Sequence, residues 1–141
     1  MRPLVSLRIP SGWAVITNNF VEFAPSEVAS DSDRESYLDE NLLSIEGIIF
    51  DGVCWRTDRS ACLIDLGWYP TGDLRGSYRL ALVKGSWDDV PLRFEHRDCG
   101  VMKEAIELIM RMLAAGKSAE QISELLQDLT QTMGTIGGEP E

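Results

Sequence analysis

The chain has 141 residues, 44% of them hydrophobic and four of them Trp, which is the length and core material of one folded domain that needs no staple. Its 23 carboxylates outnumber 13 Lys and Arg and leave a net charge of −10. That balance argues against nucleic acid and against anionic membrane, both of which demand cationic neutralisation; it fits attraction to a basic protein partner and equally a charge that only serves solubility.

The three cysteines, Cys54, Cys62 and Cys99, form an odd set without CxxC spacing, as expected of reduced thiols in a cytoplasm. The first residues carry Arg2, Pro3, Arg8 and Pro10 and no apolar run of signal-peptide length, and no stretch approaches the ~20 apolar residues of a membrane span. A cytoplasmic location is the expectation.

In chain order, Ile9-Pro10-Ser11-Gly12 is a lead-in turn. Trp13–Thr17 and Phe20–Phe23 read as two short strands joined in a hairpin at Asn18-Asn19, a pair that tolerates positive φ. Residues 25–41 are acidic, with Glu27, Asp31, Asp33, Glu35, Asp39 and Glu40 against a lone Arg34. The pattern is compatible with a short helix capped by Asp31 or Ser32 and running towards Leu38, and equally with an acidic loop.

Leu42–Phe50 reads as a strand, Asp51-Gly52 as a two-residue hairpin turn and Val53–Thr57 as the returning strand. Ala61–Tyr69 has the clearest alternation, with Cys62, Ile64, Leu66 and Trp68 on one side and Leu63, Asp65, Gly67 and Tyr69 on the other. A loop with Pro70, Gly72, Asp73 and Gly76 leads to a strand over Ser77–Lys84, and after a turn at 85–89 a last strand covers Leu92–His96. Successive hairpins predict a mainly antiparallel meander of about five to seven strands.

The C-terminal third is helical. On a helical wheel Val101–Leu113 places Lys103, Glu104, Glu107 and Arg111 within an arc of about 100°, leaving an apolar arc of roughly 200°, wide enough for both a sheet and a neighbour. The neighbour follows Gly116: Ser118 and Gln121 have capping-box spacing, and Ile122, Leu125, Leu126 and Leu129 form a narrow stripe. The expected architecture is one α+β domain over residues 1–133, its sheet covered on one face by two C-terminal helices, with a flexible tail at 134–141.

Sites for chemistry are scarce. The lone histidine, His96, precedes Cys99 by three residues, but a strand end followed by a helix start does not put them on one helical face. No zinc spacing, P-loop or dinucleotide glycine pattern is present, so no cofactor, metal or catalytic residue is expected. Asp65, a charge inside the best strand, is most simply a cross-strand partner of Arg79, and otherwise a ligand or interface carboxylate. Trp68, Tyr69 and Asp73 flank one hairpin loop, and Trp87, Asp88 and Asp89 occupy the next turn. Exposed aromatics at turns are typical anchors of protein interfaces, whereas Trp68 fits better in the core.

The run Leu66-Gly67-Trp68-Tyr69-Pro70-Thr71-Gly72-Asp73 with Gly76-Ser77-Tyr78-Arg79-Leu80, and the opening Ile9-Pro10-Ser11-Gly12-Trp13 with Asn18-Asn19-Phe20, resemble small bacterial immunity-type proteins encoded beside polymorphic or contact-dependent toxins. The resemblance spans residues 9–114 and carries over no catalytic residue, because such proteins act by occlusion. It implies a basic toxin or nuclease as partner, met by Asp31, Asp33, Asp39, Glu40, Tyr69, Asp73, Trp87, Asp88 and Asp89. Two other readings compete: a homodimer or assembly subunit using the C-terminal helices, and a small-ligand or enzymatic cleft beside Asp65 and Tyr69.

Overall fold

The computed structural model describes residues 2–24, 31–57 and 62–136, with backbone alone for 31–33, 57 and 132–136. In chain order it contains β1 (Trp13–Asn18), α1 (Asp31–Tyr37), β2 (Leu43–Phe50), β3 (Trp55–Thr57), β4 (Cys62–Tyr69), β5 (Ser77–Lys84), β6 (Leu92–His96), α2 (Cys99–Ala114) and α3 (Ala119–Ile136). All strand pairings are antiparallel, in the order β1-β2-β4-β5-β6 with β3 paired to β2, so the α+β sheet with two C-terminal helices is as the alternation pattern implies.

The alternating side chains of β4 and β5 build the core. Ile64, Leu66 and Trp68 point with Tyr78, Leu80 and Leu82 to one face, joined by Leu43 and Ile45 from β2. The helices pack on β5 and β6 and on each other, burying Met102, Ala105, Ile106, Ile109 and Met110 of α2 with Ile122 and Leu126 of α3. The wide apolar arc of α2 is thus consumed inside the chain. Asp98 caps α2 by accepting the Val101 N–H at 3.0 Å. Gly116 (φ 80°) reverses the chain, with the Lys117 N–H returned to the Met112 carbonyl. Ser118 and Gln121 exchange the reciprocal bonds of a capping box, 2.9 and 3.2 Å.

Five expectations need correction. No hairpin forms at Asn18-Asn19. β1 pairs with β2, while Val21 bridges Leu4 and the Val5 N–H donates to the Phe20 carbonyl. The reason lies in the spacing: Phe20 and Phe23 are both buried, and residues three apart on a strand would face opposite sides. At Asp51-Gly52 the turn is longer than two residues. Phe50 pairs with Trp55, and the Asp51 carboxylate accepts the N–H groups of Val53 and Cys54, building the turn from its own side chain.

Arg79 does not pair with Asp65. The register sets Asp65 between Ser44 and Ala81, whereas Arg79 faces Glu95 and meets it at 2.9 Å. Finally, α3 continues through Gly134 to Ile136, three residues into the expected tail. The acidic segment is a helix from Asp31, so Asp31 and Ser32 lie inside it and not before it. Glu27, Pro25 and Ala61 lie outside the described residues.

Candidate functional site

The best-assembled cluster sits where the α1–β2 link meets the open face of β4. Leu38, fully buried, anchors the link. The Trp68 N–H donates to the Asp39 carbonyl and the Gly72 N–H to the Leu38 carbonyl, both at 2.8 Å. Between the Asp39 anchor and the Leu42 N–H, which donates to the Leu66 carbonyl at 3.0 Å, the backbone crosses Gly67 so closely that a Cβ there would lie 2.1 Å from the Glu40 carbonyl oxygen. Glycine is needed for this crossing, because any side chain would fill the space.

The crossing brings Asp39 and Glu40 beside Asp65 and Tyr69, two residues of the β4 row that faces away from the helices. The Tyr69 phenol is pushed up first by partial burial and then by the carboxylates of Asp65 and Glu40; Arg79 opposes and Asp39 adds to the rise. Arg79 also lies over the Tyr69 ring, its guanidinium carbon 5.1 Å from the centroid. Asp65 is half-buried, makes no ion pair among the described residues, and its carboxyl is pushed up by burial. A carboxylate in that position gains from an incoming cation, which would repay its lost hydration.

Asp73 belongs to the same end of the sheet but serves the turn. Its carboxylate accepts the Arg75 N–H at 2.9 Å and the Arg75 side chain at 3.2 Å, bonds that hold its carboxyl below the usual range. Its carbonyl accepts the indole N–H of Trp68 at 2.7 Å, and Trp68 is fully buried. Asp31 and Asp33 lie on α1, but their side chains are outside the described residues.

Trp87, Asp88 and Asp89 are elsewhere. β4 and β5 run from the Tyr69–Ser77 pair at one end to Cys62–Lys84 at the other, and the β5–β6 turn follows Lys84. The expected interface residues therefore divide between opposite ends of the sheet. Trp87 is 56% exposed and does not fold back onto the sheet, while Asp88 and Asp89 make no ion pair among the described residues.

One feature was missed in the sequence. At the Trp87 end the β2–β3 hairpin exposes Ile49, Phe50, Val53 and Trp55. The available signal was apolar residues at consecutive positions on both sides of Asp51-Gly52, which a strand with one buried face does not need.

A cavity of about 820 Å³ opens at the β6–α2 corner, between Arg2, Glu22, Phe23, His96, Cys99 and Lys103 among others. His96 accepts the Asp98 N–H on Nδ1 at 3.0 Å, and burial pushes the Cys99 thiol up, which disfavours its thiolate. Among the described residues no group of three or more His, Cys, Asp or Glu is placed to hold a metal, and no helix is long and apolar enough to cross a membrane. No protein-family model, curated protein or solved structure matches the chain.

Proposed function

We propose that this chain is a non-catalytic protein-binding protein of the cytoplasm, an immunity-type inhibitor that occludes a basic toxin or nuclease through its acidic surface. The observation that carries the reading is the convergence of Asp39, Glu40 and Asp65 on Tyr69 from separate parts of the sequence. Three carboxylates around a half-buried phenol make a site that attracts Lys and Arg. The phenol adds the rigid aromatic contact that interfaces use as an anchor. The excess of 23 carboxylates over 13 cations supplies a long-range field that steers a basic partner towards it.

The competing assembly reading drew its support from the wide apolar arc of α2, which the sheet and α3 already cover. The occlusion reading is tested by reversing charge at Asp31, Asp33, Asp39 and Glu40. Association with a basic partner should slow and lose its salt dependence; an unchanged rate would sink the reading.

A further inference from the structure

The cavity of about 820 Å³ at the β6–α2 corner gathers cations on an otherwise acidic chain. Arg2, Arg97 and Lys103 line it with His96, against the carboxylates of Glu22 and Asp98. Two of these charges already hold the walls. Arg97 donates to the carbonyls of Gly76 and Leu74 and lies over the Trp68 ring, while Asp98 accepts the Val101 N–H as the cap of α2. Lys103 is half-buried and makes no ion pair among the described residues. Glu22 is exposed at the rim.

Two unpaired donors belong to the same corner. The first is at the start of α2, a helix of 16 residues with no carboxylate in its first turn, where the positive end of the dipole favours an anion. There the Gly100 N–H has no acceptor among the described residues and no side chain to cover it. The second is Tyr78, which is fully buried and whose hydroxyl has no hydrogen-bond partner among the described residues. Tyr78 pairs with His96 across β5–β6, and its ring lies 6.2 Å from that of Phe23. Its phenol is pushed up first by burial and then by Cys99 and Asp98, so the ring is directed at the corner those residues line. A donor buried without an acceptor is costly, and an oxygen in the cavity would supply one.

We propose that this cavity binds a small organic phosphate, its oxygens taken by Lys103, the Gly100 N–H and the Tyr78 hydroxyl, its apolar body against Val5 and Phe23. Three donors match the three terminal oxygens of a phosphate ester, whereas a carboxylate offers two. The volume is that of a small-molecule site and would leave a bare ion mostly surrounded by empty space. Val5 and Phe23 are apolar lining that a bare ion would not use. The site is separate from the carboxylates around Tyr69, which faces away from the helices, and stands whether or not those carboxylates bind a basic protein.

The test is isothermal titration calorimetry of the full chain with phenyl phosphate, inorganic phosphate and phenol at about 50 mM NaCl. Phenyl phosphate should bind one to one, inorganic phosphate at least about tenfold more weakly, and phenol not at all. Lys103→Gln and Tyr78→Phe should each weaken phenyl phosphate at least about tenfold. Glu22→Gln should tighten it, and Lys117→Gln, in the α2–α3 turn, should leave it unchanged. Tyr78→Phe removes an unpaired hydroxyl, so the thermal midpoint without ligand should not fall, which separates loss of the site from loss of the fold. Failure of phenyl phosphate to bind, equal binding of phenol, or binding indifferent to Lys103→Gln and Tyr78→Phe would overturn the proposal. So would a lowered midpoint for Tyr78→Phe, because the hydroxyl would then have a partner within the chain.

Discussion

Glu107 on α2 accepts the backbone N–H of Arg8 at 2.8 Å, tying the N-terminal segment to a helix 99 positions away. This contact explains how a carboxylate comes to be only 8% exposed. Glu107→Ala removes the acceptor and should cost about 1–3 kcal/mol in chemical denaturation. Glu107→Gln keeps an oxygen in place and should cost less than about 1 kcal/mol.

Gly67 is where the backbone of Glu40 passes over β4. Gly67→Ala forces a methyl against a backbone carbonyl that is held on either side by hydrogen bonds, and is expected to destabilise by about 1–3 kcal/mol. Because the displaced segment carries Asp39 and Glu40, the same variant should also bind a basic partner less well at temperatures where it remains folded. Unchanged stability would mean that the link does not lie on β4.

Much of this arrangement could be read from residue order. The alternation in Cys62–Tyr69 and Ser77–Lys84 gives two central strands and their core faces, and Ser118 with Gln121 gives the start of α3. These signals are local, set by a two-residue or three-residue period. The crossing of Glu40 over Gly67 depends on a link docking onto a strand some 27 positions later, and nothing near either residue encodes it. The same holds for the separation of Asp73 from Trp87, which follows from strand direction and not from their closeness in sequence. Phe20–Phe23 is no strand although Asn18-Asn19 offers a hairpin turn, because Phe20 and Phe23 are both buried, a spacing that no strand can bury on one side.

Burial raises the Asp65 carboxyl above its unfolded value. Its ionised form therefore costs the folded state at neutral pH, and the cost is relieved as pH falls through the folded pKa, vanishing below the unfolded value of about 3.9. Asp65→Asn should raise the thermal midpoint at pH 7 and lose that advantage by about pH 3. It should simultaneously weaken binding to a basic protein, an exchange of stability for function. A midpoint lowered at pH 7 would mean that Asp65 has a stabilising partner in the folded chain.

The three thiols should separate by reactivity. Cys54 is exposed on the β2–β3 turn, whereas burial pushes up the thiols of Cys62 and Cys99. Labelling with a disulfide reagent near pH 8, followed by peptide mass spectrometry, should modify Cys54 first and the others at least about tenfold more slowly. Equal labelling of Cys99 would indicate a thiolate beside His96 and revive a nucleophilic role for that pair.

The central claim is that an acidic surface built around Tyr69 holds a basic protein. Its most direct test is affinity capture, with the immobilised chain, from a lysate of the cells that make it, at about 50 and 500 mM NaCl. A variant carrying Asp39→Asn, Glu40→Gln and Asp65→Asn runs in parallel. The account predicts a basic protein retained by the parent chain at low salt, released at high salt, and not retained by the variant. Retention of no basic protein, or equal retention by the variant and the parent, would contradict it.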